Sequence, residues 1–170
     1  MTRLAIVCAP LLMLVAACGQ APAPSVGPST GDPPKSASKP AAVAERYDLG
    51  RDEQRGGHTL KKHVGTTDEQ LRQRLRRERI SAASTWTDRE TAEATVAEAF
   101  QAEQRRIDGW MKRGYPRANL ALHYDAGRPI GRSLQRGQEQ PVDCTRAVIV
   151  LRADGPDSFY VLTTYPEAHE

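Results

Sequence analysis

Two hydrophobic periods divide the chain. From about residue 68 to about residue 112 the apolar positions recur mainly at helical spacing, and from Asn119 onward they recur every second residue. Leu71 and Leu75 stand one turn apart, and Thr67 with Gln70 three residues on forms a capping-box signature, so a helix is predicted from about Asp68. Thr87 with Glu90 is a second such box. The helix after it is predicted to run to about Lys112, with Val96, Phe100, Ile107 and Trp110 as its core stripe and Gly114 as its stop signal. Between them, Ser81 to Trp86 reads as a short strand or a linker. In the second half Leu120, Leu122 and Tyr124 alternate with Ala121 and His123. Further strands are predicted at Ile130 to Leu134, Arg146 to Arg152 and Ser158 to Tyr165, with turns at Gly127-Arg-Pro and Asp154-Gly-Pro. Helices first and strands last predict an α+β fold, with N-terminal helices packed on a C-terminal antiparallel sheet.

The N-terminal quarter follows neither period. Residues 1–17 carry Arg3, an apolar run too short to cross a membrane, and small residues before Cys18, which reads as a signal peptide. Val15-Ala-Ala-Cys18 has the form of a lipobox, so Cys18 is expected to be lipidated and to anchor the protein to a membrane. Gly19 in the next position favours the outer membrane of a Gram-negative cell. Residues 18–44 are the lipidated cysteine and a Pro/Ser/Ala/Gly stretch too poor in aliphatic bulk to fold, so a disordered tether is expected. Residues 45–170 suit one compact domain. With Cys8 removed and Cys18 lipidated, Cys144 is left without an intrachain partner, so no disulfide is expected. Cys144 reads as a partly buried strand residue and not as a nucleophile.

The net charge of +3 argues against a broad nucleic-acid-coating surface. Arginines cluster instead at 72–79 and 128–136, so an RNA would bind a cleft. The sharper chemistry lies at 58–77, where His58 and His63 precede a helix carrying Arg72, Arg74, Arg76 and Arg77. An imidazole moves protons near neutral pH, and guanidinium groups fit phosphate. Taken alone, such a helix is more often a solvated face. In the last strand Phe159, Val161, Thr163 and Tyr165 are predicted to share one face. The first two would pack on the helices; the last two would carry hydroxyls past the core edge.

The run from His63 to Leu71, His-Val-Gly-x-Thr-Asp-Glu-x-Leu, resembles the opening of the bacterial ribonuclease-A-like domain found at the C-termini of contact-dependent inhibition toxins. The resemblance continues through Ile80 to Thr87, Gly127 to Ser133 and Tyr160 to Pro166, in the family's order. It implies a ribonuclease-A-like fold, an endoribonuclease acting through the ribose 2′-hydroxyl, and a toxin role. It also implies a catalytic set of His63, Arg74, Thr163 and Tyr165: His63 as base, Arg74 and Thr163 stabilising the phosphorane, Tyr165 orienting phosphate or protonating the leaving oxygen. No cofactor or metal is implied.

His58 stays open between a second acid–base role and a structural one at its own Gly56-Gly57 turn, the latter favoured. Lys62, Arg128 and Arg132 are candidate phosphate contacts, with solvated surface as the alternative. His123 reads as structural, and His169 as part of a tail. Expected partners are an RNA substrate, a membrane reached through Cys18 and a cognate immunity protein; a monomer is expected. The rival reading is a catalytically idle binding or immunity lipoprotein that kept the fold.

Overall fold

The computed structural model describes residues 46–168. The signal peptide, the lipobox with Cys18, the tether and His169 therefore lie outside the described residues. Among those described, eleven elements follow in order: α1 (Leu49–Gln54), α2 (Thr59–His63), α3 (Asp68–Arg77), β1 (Ala82–Trp86), α4 (Arg89–Ala102), α5 (Gln104–Met111), β2 (Leu120–Asp125), β3 (Gly131–Gln135), β4 (Val142–Cys144), β5 (Arg146–Ala153) and β6 (Phe159–Glu167). The α+β class holds, with the helices early and the sheets late. The strands form two antiparallel sheets, however: β1-β3-β4 and β2-β5-β6. Cys144 ends β4 as a buried free thiol.

The capping box at Thr67 is complete, since the Thr67 hydroxyl accepts from Gln70 N and the Gln70 side chain accepts from Thr67 N. The second cap is shifted by one residue. Asp88, not Thr87, caps α4, taking the Thr91 amide at 2.6 Å. The single helix expected to Lys112 is broken at Glu103, whose backbone (φ −102°, ψ 14°) ends α4 and starts α5. No glycine or proline marks that break. It lets Phe100 sit edge-on between Tyr47 and Phe159 while Trp110 also meets Phe159.

Two apolar clusters hold the chain. The larger joins Leu49, Val96, Ile107 and Trp110 of the helices to Trp86, Leu122, Ile149, Leu151 and Val161. The smaller is Leu71, Leu75, Ala83 and Leu134, which seats α3 on the first sheet. Losing either leucine by Leu→Ala would cost about 2–5 kcal/mol, so α3 is held by a narrow but firm patch.

The free edge of β6 is closed by α1 and α2. The buried Asp52 carboxylate takes Val161 N at 3.0 Å, His58 N donates to Leu162 O at 3.0 Å, and the Thr59 hydroxyl takes Thr164 N at 2.9 Å. This contact requires Gly57. A β-carbon there would lie 2.8 Å from Asp52 O and 2.9 Å from Val161 O.

Candidate active site

His63 precedes the arginine-bearing helix α3, as expected, and is itself the last residue of a short helix, α2. It is 7% exposed, and its Nδ1 lies 3.3 Å from Ser84 O in β1. A carbonyl there makes Nδ1 the protonated nitrogen and leaves Nε2 with the lone pair. The ring lies against Tyr165, with centroids 5.4 Å apart and planes at 31°. Burial first, and the neighbouring Arg74 charge second, lower the His63 pKa from 6.5 to about 4. The imidazole is therefore neutral at physiological pH.

Arg74 projects from α3 one turn beyond Leu71. Its Nε binds the Glu78 carboxylate at 3.1 Å and its Nη1 reaches Lys62 O at 3.4 Å, which draws the guanidinium towards the end of α2. At the start of α2, His58 stands at the N-cap position without a side-chain capping bond. Partial burial and the Lys62 charge lower its pKa.

The last strand differs from its expected pattern in one decisive way. Val150 pairs with Thr163 but Leu151 pairs with Val161, so Leu162 is an extra, bulged residue in β6. Phe159 and Val161 do meet the core, as expected. Past the bulge the alternation is reversed: Thr164 is fully buried on the core side, its hydroxyl on Val148 O at 2.8 Å, and Thr163 and Tyr165 turn to the opposite face. The four residues thus do not share a face. The Thr163 hydroxyl is buried and has no hydrogen-bond partner among the described residues. Tyr165 has its phenol pKa raised, by burial foremost and then by the Glu167 charge, so it stays protonated.

These displacements bring His58, His63, Arg74, Thr163 and Tyr165 to the wall of one cleft of about 1080 Å³. Ser84, Ser133, Gln135, Arg79 and Arg136 line it as well; the sequence marked Arg79 and Arg136 only as ends of two arginine clusters and singled out none of the other three as a site residue. Ser133 and Gln135 alternate along β3, a signal visible only once β3 is known to pair with β1. The other candidates are placed elsewhere. Arg128 grips Glu98 with two bonds of 2.9 and 2.8 Å, and Arg132 pairs with Asp68 at 2.6 Å; neither lines the cleft. Lys62 is an exposed residue of α2 that contributes its carbonyl to Arg74, and its ammonium is not on the wall.

A two-sheet α+β domain with imidazole, guanidinium, hydroxyl and phenol on one cleft matches a family of ribonuclease toxin domains. The model of the bacterial CdiA-CT RNase A domain matches residues 57–166, which include every residue of that set, and the chain belongs to this family. A crystal structure of a CdiA-CT/CdiI complex from Y. kristensenii 33638 contains a similar chain, with a TM-score of 0.60 and 33% identity. The match covers 66% of the present chain and all of that one. No curated protein sequence matches significantly.

Proposed function

We propose that this protein is a ribonuclease toxin that cleaves RNA by attack of the ribose 2′-hydroxyl on the adjacent phosphodiester. The observation that carries the proposal is the convergence of His63, Arg74, Thr163 and Tyr165 on one cleft. Family membership supports the same reading. Neutral His63, with Nε2 free, takes the 2′-hydroxyl proton as the 2′-oxygen bonds to phosphorus. The two non-bridging oxygens gain negative charge, and Arg74 and the unused Thr163 donor stabilise it. The bond from phosphorus to the 5′-oxygen breaks, and protonated Tyr165 supplies the proton to that oxygen; the proton on His63 restores the phenol.

The test is digestion of a short RNA with the scissile position known. The expected products are a 2′,3′-cyclic phosphate and a free 5′-hydroxyl, and a 2′-deoxyribose at that position should block cleavage. Undiminished cleavage of the deoxy substrate would overturn the mechanism. No cleavage of any RNA would favour an idle binding protein that kept the fold. Because the similar chain from Y. kristensenii is in a CdiA-CT/CdiI complex, a cognate immunity protein is proposed for this chain too.

The lipobox supports a further part of the proposal, that Cys18 anchors the domain to the outer membrane. Cys18→Ser should then release the protein from the membrane fraction; equal retention would refute the anchor.

A further inference from the structure

We propose that a phosphate-binding track continues from the cleft over the C-terminal end of α3, with Arg136 as its pivot and Arg76, Arg77 and Arg79 along it. It rests on the ribonuclease reading for its occupant, the RNA backbone flanking the scissile phosphate.

The surface beside the cleft is not flat there. A second depression, of about 510 Å³, shares Arg79, Ile80, Ser81 and Arg136 with the cleft wall. A third, of about 540 Å³, shares Arg76 and Arg136 with the second. Arg136 therefore lines all three, and a strand seated in the cleft can continue into both without leaving the surface.

Guanidiniums outnumber carboxylates in each part of this path. The second depression holds four guanidiniums and one carboxylate, and that carboxylate, Glu78, is already engaged by Arg74 at 3.1 Å. Arg77 and Arg79 make no ion pair or hydrogen bond among the described residues, and both are exposed. Arg76 meets only Glu69, at 2.8 Å, in a pair that is more than half exposed and so weakly held.

Arg136 differs from an ordinary surface arginine. Its Nε donates to Ile80 O at 3.0 Å and its Nη2 to Leu75 O and Glu78 O at 2.6 and 2.7 Å. These carbonyls orient the guanidinium without neutralising it. Its ordering cost is met by the fold before any ligand arrives. With Nε and Nη2 engaged on these carbonyls, the Nη1 donors and an uncompensated charge remain for a phosphodiester oxygen. The anions that reach this surface are the phosphates next to the one held in the cleft, which makes the track a length-dependent substrate site.

The test compares the full chain with an Arg76→Gln/Arg77→Gln double variant, chosen because both residues lie outside the cleft wall. Two readouts are taken: kcat/KM on a dinucleotide and on a dodecamer RNA, and salt-dependent binding of a 2′-O-methyl dodecamer that cannot be cleaved. The wild type should prefer the dodecamer, and the variant should lose at least about threefold of that preference, through KM and not kcat. The log–log salt slope of binding should fall by about 1.4, or about 0.7 for each single-strand phosphate that is no longer neutralised. An unchanged slope and preference, or equal losses on both substrates, overturns the track. Should the wild type cleave neither RNA, the ribonuclease reading fails, and the slope measured on the methylated strand still decides the track.

Discussion

His63 offers a direct line from burial to rate. Burial and the Arg74 charge hold its pKa at about 4 instead of 6.5, against the opposing pull of the Ser84 carbonyl. That difference corresponds to about 3 kcal/mol against protonation of the folded ring. The unfolded chain binds the proton more readily than the folded one. Stability contributed by the neutral ring is thus full above pH 6.5 and is lost as pH falls towards 4. At about pH 5.5 an ordinary histidine would be neutral in roughly a tenth of molecules, whereas His63 is neutral in nearly all. The assay is an NMR titration of labelled histidine beside a pH profile of kcat/KM on a short RNA. The acidic limb of kcat/KM, which reports the free enzyme, should lie near pH 4. The limb of kcat should lie higher, because a bound phosphodiester favours the imidazolium. Arg74→Gln removes the second cause of the shift but not the first, so the His63 pKa should rise and still remain below 6.5. A His63 that titrates near 6.5 in the folded protein would refute the reasoning, as would an Arg74→Gln variant with no upward shift.

Adjacent threonines should behave in opposite ways. Thr163→Val removes a buried hydroxyl that has no partner among the described residues, so the urea midpoint should stay level or rise while RNA cleavage falls by about tenfold or more. Thr164→Val takes the hydroxyl donor from the Val148 carbonyl in the core, and should cost about 1–3 kcal/mol in the same melt. Equal destabilisation by both would show that Thr163 is part of the core and not of the cleft. Asp52→Ala should cost about 1–3 kcal/mol, because it leaves Val161 N unpaired and removes the carboxylate that Tyr47 bonds. Cleavage should fall with it, since Asp52 holds the strand just before the Leu162 bulge; an unchanged midpoint would refute that role.

Short-range patterns were legible in the sequence because they rest on neighbours in the chain. The Thr67–Gln70 box and the Leu71/Leu75 pair marked α3, and the alternation at Leu120 to Tyr124 marked β2, since caps and side-chain periods act over about four residues. The family-like blocks likewise pointed to His63, Arg74, Thr163 and Tyr165 before any geometry was known. The short helices α1 and α2, of six and five residues, offered too few turns for an apolar period to show. They form because Asp52, His58 and Thr59 close the edge of β6, which lies far along the chain. The break at Glu103 has no local breaker and answers to the aromatic contacts of Phe100 and Trp110. Arg128 and Arg132 looked like free phosphate ligands until the fold set Glu98 and Asp68 against them. The Leu162 bulge is the clearest case. Period-two counting placed Thr163 with Val161, but pairing with β5 absorbs one extra residue and turns Thr163 and Tyr165 towards His63. Residue types were thus set by the chain itself, while which face each presents was decided by strand register, because one inserted residue reverses every side chain beyond it.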